Sequence, residues 1–285
     1  MATQPSAGRR ASRLRRAAPL KPILFGILNV TPDSFSDGGR YLAPAAAVEH
    51  ARELLDNGAD VIDVGAAASN RKAQPVAADE EIARLEPVLA TLELAPARLS
   101  VDSSSGTVQR YALAKGVGFL NDVTGFRDPK LYATLASSAA KLIVVHTMTG
   151  SIAAPRATGP GEAMASAHRF FAARIAALTR AGVDEGRLVL DPGMGLFLGS
   201  GATPSVEVLR GIAELKRAYR MPLMISVSRK SFLRDLTGRD VASRGAATLA
   251  AELYAAEQGA DYVRTHDPGA LRDALRVLAA LHSES

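Results

Sequence analysis

The first predicted structural unit opens with the apolar strand Ile23-Leu-Phe-Gly-Ile-Leu-Asn-Val30 and continues, after a loop, into a helical stretch at 44–58. The chain repeats this plan eight times, each time as a short β-branched run with polar residues at its end and then an Ala- and Leu-rich stretch with helical spacing. The predicted strands are 23–30, 60–65, 98–102, 119–123, 142–148, 188–192, 222–228 and 262–266. The predicted helices are 44–58, 79–94, 106–116, 128–140, 161–182, 204–219, 242–259 and 268–282.

This alternation predicts an α/β fold with a parallel sheet, because strands that are apolar on both faces need helices to cover them. Eight units in roughly 260 residues predict a single (β/α)8 TIM barrel, with the active site at the C-terminal ends of the strands. An open Rossmann-like sheet is the alternative, since spacing and hydrophobicity do not prove closure. Against it, the first strand is followed by Asn29-Val-Thr-Pro-Asp33 and not by a Gly-x-Gly-x-x-Gly turn.

The composition is that of a globular protein. A length of 285 residues suits one large barrel, although two domains also fit it. The chain has no cysteine, which excludes disulfides, thiolate metal sites and cysteine nucleophiles and leaves the compartment open. Any metal must therefore be held by oxygen or by histidine nitrogen. No run of about 18 apolar residues exists, which excludes a membrane helix, and we expect a cytoplasmic protein.

The positive charge is concentrated at the start of the chain. Residues 1–20 hold five arginines and no acidic residue, and they account for the whole net charge of +5. A basic arm or a transit peptide has this composition, but we expect a disordered tail, with the catalytic domain at 21–285. A nucleic-acid binder is the less favoured interpretation, because the basic cluster contains no interleaved aromatic residue and the barrel adds no net charge.

Polar residues stand where the predicted strands end, which is where barrel enzymes gather their chemistry. They are Asn29, Asp63, Asp102, Asn121, Asp191, Ser228, Arg229, Lys230, Arg264 and His266. Each alone can be explained as a helix cap or a structural hydrogen-bonding group. Together, the cationic side chains with His266 suit an anionic group such as pyrophosphate, and buried Asp and Asn suit a flat heterocycle. The chain has no Ser-His-Asp order, HExxH or Walker motif, which disfavours hydrolases, zincins and P-loop enzymes.

The stretch Gly26-Ile-Leu-Asn-Val-Thr-Pro-Asp-Ser-Phe-Ser-Asp-Gly-Gly39 resembles the signature of the dihydropteroate synthase family. Further motifs of that family follow in the same order: Ile62-Asp-Val-Gly65, Ser100-Val-Asp102, Asn121-Asp122, Asp191-Pro-Gly193, Ser228-Arg-Lys-Ser231 and Arg264-x-His266. The resemblance covers about residues 22–282. It implies a transferase of folate biosynthesis that condenses 6-hydroxymethyl-7,8-dihydropterin pyrophosphate with p-aminobenzoate, through a cationic pterin intermediate, to give 7,8-dihydropteroate and pyrophosphate.

The resemblance also implies a role for each matching residue. Asn29 would ligate the Mg²⁺ that accompanies pyrophosphate, an oxygen ligand of the kind a hard cation requires. Arg264 and His266 would hold the phosphate oxygens. The pterin would be surrounded by Asp102, Asn121, Asp191, Lys230 and Met148. The catalytic set would be Asp102, Lys230, Arg264 and His266. The longer connections after the first and second predicted strands, 31–43 and 66–78, are expected to be mobile loops. These loops and the p-aminobenzoate site would use Thr31, Pro32, Asp33, Phe35, Ser69, Asn70, Arg71, Leu196, Ser228 and Ser231.

The second loop departs from the family. The family's Gly-Glu-Ser-Thr-Arg-Pro-Gly reads Ala66-Ala-Ala-Ser-Asn-Arg-Lys72 here. Ser69 keeps the hydroxyl of the family's threonine, whereas Asn70 replaces its arginine and Arg71 follows one residue later. Positive charge is retained in this loop, but its position is changed.

A second group of departures falls where p-aminobenzoate is expected. Where the family has Asp-Pro-Gly-Phe-Gly-Phe-Gly-Lys, this chain has Asp191-Pro-Gly-Met-Gly-Leu-Phe-Leu198. Ser226 replaces a family glycine, and the family's His-Met pair becomes His146-Thr-Met148. A pterin-binding homologue with another acceptor, or with weak synthase activity, is therefore the alternative function. The methyltetrahydrofolate methyltransferases share the barrel, but the intact 26–39 motif disfavours them.

The resemblance implies small-molecule partners and a second copy of the chain. Sulfonamides are possible competitive ligands of the p-aminobenzoate site. A homodimer packed through late helices is expected, and the small residues of the stretch 244–251 permit close helix approach.

Overall fold

The computed structural model describes residues 21–31, 44–67, 76–92, 94–148 and 157–283. Within these ranges eight parallel strands form one sheet in the order β6-β5-β4-β3-β2-β1-β8-β7. The strands are β1 Ile23–Asn29, β2 Val61–Gly65, β3 Leu99–Asp102, β4 Phe119–Asp122, β5 Lys141–Val145, β6 Leu188–Asp191, β7 Met224–Ile225 and β8 Tyr262–Thr265.

Helices separate the strands, as expected for βα units. In the described ranges they are α1 Pro44–Asp56, α2 Ala78–Thr91, α3 Gly106–Ala114, α4 Tyr132–Ser137, α5 Glu162–Arg180, α6 Thr203–Arg210, α7 Ile212–Tyr219, α8 Ser231–Thr237, α9 Gly245–Glu257 and α10 Pro268–His282. None of these helices combines the length and the hydropathy needed to cross a membrane.

The sheet closes on itself between β6 and β7. The backbone N–H of Leu190 donates to the carbonyl of Pro222 at 2.9 Å, and Leu190 forms a parallel bridge with Leu223. These contacts join the two ends of the strand order, so the eight strands form a nearly closed barrel. The predicted TIM barrel is confirmed, and the open sheet is not observed.

Alternation along each strand separates an outer core from an inner one. On β1, Leu24 and Leu28 point outward into the large core between sheet and helices. Phe25 points inward, where its ring packs edge-on against Phe119 at 5.0 Å and Tyr262 at 5.6 Å between ring centroids. These aromatic rings fill the N-terminal half of the barrel and leave its C-terminal half to polar side chains.

Some boundaries differ from the predictions. The predicted helix at 204–219 is interrupted at Gly211, where a Cβ would lie 2.5 Å from the end of the Met164 side chain of α5. Helix α8 was not predicted, because seven residues ending at Gly238 are too short for a periodic signal. The strand predicted at 222–228 is shortened to β7 at Met224–Ile225, preceded by the isolated bridge of Leu223. The tail at 1–20 lies outside the described residues.

Candidate active site

The C-terminal ends of the strands bring most of the predicted polar residues together. The register places Asn29 of β1 beside Gly65 of β2, Gly65 beside Asp102 of β3, and Asp102 beside Asn121 of β4. Because side chains alternate between the two faces of a strand, Asp102 and Asn121 point into the barrel, on the C-terminal side of the aromatic rings. The predicted convergence on one rim is therefore observed for the described residues.

Arg264 of β8 joins two carboxylates across the barrel. Its Nη2 donates to Asp102 Oδ2 at 2.6 Å, and its Nε lies 2.5 Å from Asp63 Oδ2 without the alignment of a hydrogen bond. Asp63 is completely buried and also accepts from Asn121 Nδ2 at 3.3 Å. Burial alone would lower the pKa of Arg264, but the two carboxylates outweigh it and raise that pKa. The guanidinium is therefore a fixed positive charge at neutral pH.

Three further groups titrate close to neutral pH. Burial raises the pKa of Asp102 to about 6, against the opposing effect of Arg264. Burial likewise raises the pKa of Asp191 to about 6, although its Oδ1 accepts a hydrogen bond from Gly193 N–H at 2.8 Å. Burial lowers the pKa of Lys230 to about 8, and the charge of Arg264 acts in the same direction. At pH 7 these pKa values leave both carboxylates mostly ionised and Lys230 mostly protonated.

A small cavity opens between these side chains. Its lining includes Asn121, Asp191, Phe197, Ser226, Lys230 and Arg264. Asn121 Oδ1 and Ser226 Oγ are buried and have no hydrogen-bond partner in the described part of the chain. Buried polar atoms are rarely left unpaired, so these two are available to hydrogen-bond a ligand. The side chains around this small cavity thus include acceptors, a donor and an apolar wall, groups that suit the edge of a flat heterocycle.

The turn after β6 forms the wall next to Lys230. Lys230 Nζ lies 4.7 Å from the centroid of the Phe197 ring, a cation–π contact. A Cβ on Gly195 would lie 3.3 Å from Lys230 Cβ and 3.4 Å from Ser231 Oγ. Gly195 therefore lies against Lys230 and Ser231, and the half-buried Leu196 follows it on this turn.

His266 stands at the end of β8 and is held by Ser228. Its Nδ1 lies 2.9 Å from Ser228 Oγ, which also accepts from the His266 backbone N–H at 3.2 Å. Burial, then the charges of Arg229 and Arg264, lower the pKa of His266 to about 3. The imidazole is therefore neutral and contributes hydrogen bonding to this end of the site, not positive charge.

The remaining predicted residues occupy the margins of the site. Asn29 is exposed on the rim, and Thr31 is buried just beyond β1. The Met148 backbone N–H donates to Phe197 O at 2.8 Å, while its side chain packs against the outer core. His146 is buried between Pro192 O and Ser166 Oγ, at 3.0 and 2.9 Å, which gives it a structural role.

Six predicted loop residues lie outside the described residues: Pro32, Asp33, Phe35, Ser69, Asn70 and Arg71. Their roles stay predictions. Conversely, two residues at the site had no individual role in the sequence analysis. Asp63 was named only among the polar residues at the strand ends, and Phe197 only as part of the departing stretch 191–198.

The family model described as "Pterin binding enzyme" matches residues 25–266. The chain is 55% identical over 259 residues to the dihydropteroate synthase type-2 of Escherichia coli, which covers 91% of this chain and 96% of that relative. The chain belongs to the dihydropteroate synthases, within the pterin-binding enzyme family. The resemblance carried by the 26–39 motif is thereby confirmed, and the synthase is a transferase.

Solved structures of dihydropteroate synthases share the barrel of this synthase. The Xanthomonas albilineans enzyme with 4-aminobenzoic acid is 37% identical with a TM-score of 0.83, and the alignment covers 93% of this chain and 94% of that one. The same enzyme in complex with 7,8-dihydropteroate has a TM-score of 0.81 at 36% identity, with 95% and 98% covered. The Yersinia pestis enzyme in a sulfonamide drug complex has a TM-score of 0.80 at 29% identity, with 93% and 95% covered.

Proposed function

We propose that the cavity beneath Arg264 is the site where this synthase condenses 6-hydroxymethyl-7,8-dihydropterin pyrophosphate with p-aminobenzoate. The observation that carries the proposal is the partly buried guanidinium of Arg264, held between Asp63 and Asp102 beside a cavity with unpaired polar atoms. A fixed cation suits a departing pyrophosphate, and the unpaired acceptors suit a pterin edge. The alternative of a homologue with weak synthase activity is not favoured by the similarity to named synthases.

The pterin half of the site consists of Asp191, Asn121 and Lys230. The carboxylate and the amide oxygen accept from ring N–H groups, and protonated Lys230 donates to a ring acceptor. Their burial makes each hydrogen bond stronger than in water, because the surrounding dielectric is low. Phe197, itself buried, forms part of the apolar lining of the cavity.

The reaction separates charge, so the site stabilises it mainly by fixed electrostatics. The bond between the pterin methylene carbon and the pyrophosphate oxygen breaks, and the electron pair leaves with pyrophosphate. Arg264 and His266 hold the departing oxygens, while ionised Asp102 lies where positive charge develops on the pterin side. The amine of p-aminobenzoate then forms the carbon–nitrogen bond and loses a proton.

Mg²⁺ is part of this proposal, with Asn29 as its protein ligand. Asn29 offers a neutral amide oxygen on the exposed rim, next to Gly65 and Asp102. Mg²⁺ commonly binds through one or two protein oxygens together with waters and substrate phosphates, so a single amide ligand fits it. When bound, the cation would neutralise charge on pyrophosphate.

The acceptor side rests on Ser228, Ser231 and Leu196, together with the predicted loop residues. We assign p-aminobenzoate, and sulfonamides as its competitors, to the rim above Lys230. Named synthases with 4-aminobenzoic acid and with a sulfonamide drug support this assignment. A homodimer is also proposed, supported by exposed apolar side chains on the adjacent helices α9 and α10, namely Tyr254, Val277 and Leu281. The cytoplasmic location stays a prediction.

The test is a turnover assay of the purified protein with the pterin pyrophosphate, Mg²⁺ and p-aminobenzoate. We expect pyrophosphate and dihydropteroate to form in equal amounts, and only when both substrates are present. Pyrophosphate release without a pteroate product would instead indicate another acceptor. Absence of both products, from protein whose circular dichroism shows a folded barrel, would contradict the proposed function.

A further inference from the structure

Helix α9 carries a line of buried polar residues on a face that is otherwise rich in alanine. Arg244 precedes the helix, and Thr248 and Glu252 follow at intervals of four residues, which places all three on one side. Their exposed fractions are 8%, 6% and 1%. Burying such groups costs free energy unless they are paired, so their partners indicate what this face does.

The first two residues hold the turn that carries Lys230. Arg244 Nη1 donates to Arg229 O at 3.0 Å and to Lys230 O at 3.5 Å, and Arg244 Nε donates to Arg239 O at 3.0 Å. Thr248 Oγ1 accepts from Arg229 N–H at 3.3 Å. Both polar groups of the Arg229 backbone are therefore bound by the start of α9.

Arg229 needs this support because its backbone is left-handed. Its φ is +58°, a conformation that costs a non-glycine residue about 1–2 kcal/mol. Such a conformation persists only where surrounding contacts determine it. If Arg229 relaxed to a negative φ, the chain direction at the next residue would change, and the Lys230 side chain would leave its place over Phe197.

The third residue contacts the strand that carries the other cationic side chain of the site. Helix α9 packs against β8, and burial there raises the pKa of Glu252 to about 8, while the nearby Thr265 hydroxyl, between Arg264 and His266, acts in the opposite direction. Thr265 Oγ1 in turn accepts from Asp267 N–H at 3.1 Å. One helix face thus touches both segments that deliver positive charge or hydrogen bonds to the site.

We propose that Arg244, Thr248 and Glu252 are positioning residues of the synthase. They hold Lys230 and the end of β8 in fixed positions relative to each other. This inference rests on the proposed roles of Lys230 and Arg264. On this inference, the buried side of the stretch 244–251 positions site residues. The dimer packing proposed above uses the exposed side of the same helix.

The decisive variants are Thr248→Val and Thr248→Ser, because valine removes the hydroxyl at constant shape and serine keeps it. We expect Thr248→Val to lower kcat/KM for the pterin pyrophosphate on the order of tenfold and Thr248→Ser to stay within about threefold of the parent, since small misplacements of positioned groups are costly. The alkaline limb of the pH profile, which reports Lys230, should shift in Thr248→Val and stay unchanged in Thr248→Ser. Arg244→Lys should resemble Thr248→Val, because a lysine cannot reach three carbonyls at once.

The control variant is Lys230→Met. If Lys230→Met is impaired while Thr248→Val and Arg244→Lys change only the melting temperature, the positioning role is wrong and the site assignment stands. If Lys230→Met keeps the parent kcat/KM, the site assignment itself fails and the positioning role fails with it. Should Arg244→Lys not fold, the two Thr248 variants still decide between these outcomes.

Discussion

Replacing Arg264 with alanine leaves two carboxylates without their counter-ion, and one of them, Asp63, is fully buried. Removing one partner of a buried ion pair typically costs about 3–5 kcal/mol, because an uncompensated charge remains. For a chain of this size that loss corresponds to a fall in melting temperature on the order of 10 °C. Turnover should fall by more than about tenfold, at least 1.4 kcal/mol in the barrier, because the proposed pyrophosphate contact is also lost.

A second substitution separates stability from function. In the Arg264→Ala background, Asp63→Asn removes the buried charge that was left unpaired, so most of the lost melting temperature should return. Activity should not return, because asparagine at position 63 supplies no cation. Thermal unfolding by circular dichroism and steady-state kinetics on the same preparations test both expectations.

The result that would refute this reasoning is equally specific. If Arg264→Ala melted within about 2 °C of the parent, the ion pairs would contribute little to stability. If the double variant melted no higher than the single one, the penalty would not come from the charge of Asp63. Near-normal kcat/KM in Arg264→Ala would show that the pyrophosphate site lies elsewhere.

Three further predictions follow from the site and its surroundings. The profile of kcat/KM against pH should be bell-shaped, falling below about pH 6 as Asp191 gains a proton and above about pH 8 as Lys230 loses one; a flat profile across both values would contradict these roles. Gly193→Ala should lower the free energy of unfolding by at least about 2 kcal/mol, because its φ is +73° and a Cβ would lie 2.3 Å from His146 O. Gly201→Ala, with φ +79° and no neighbouring atom within 4 Å, is the matched control and should cost less in the same urea titration. Chelating divalent cations with EDTA should abolish turnover, and added Mg²⁺ should restore it; full activity in EDTA would remove Mg²⁺ from the proposal.

The barrel could be predicted because its signals are local. Each strand is a short apolar run and each helix a periodic one, and both patterns are set by neighbours in the chain. The predicted boundaries are wrong where contacts between residues far apart in the sequence determine the structure. Gly211 interrupts a periodic helix at the point where the Met164 side chain of α5 lies against it, and the short strand β7 lies where the barrel closes. Neither constraint is visible within a window of sequence.

The candidate site was also predictable only in part. Polar residues at the strand ends could be located from the sequence, and the 26–39 motif gave the family, which the comparisons confirm. The role of Asp63 could not be predicted, since its partner Arg264 lies on a strand near the other end of the chain. Phe197 likewise became a site residue only when the turn after β6 met Lys230.

The sequence by itself determined eight βα units, the rim on which their polar residues meet, and membership of the dihydropteroate synthases. Tertiary structure alone decided which charges neutralise one another and which groups titrate near pH 7. It also made His266 neutral, a charge state that its place beside three cationic residues in the sequence left open. The physical reason is that desolvation and Coulomb interactions depend on distances in space, which the order of residues along the chain does not specify.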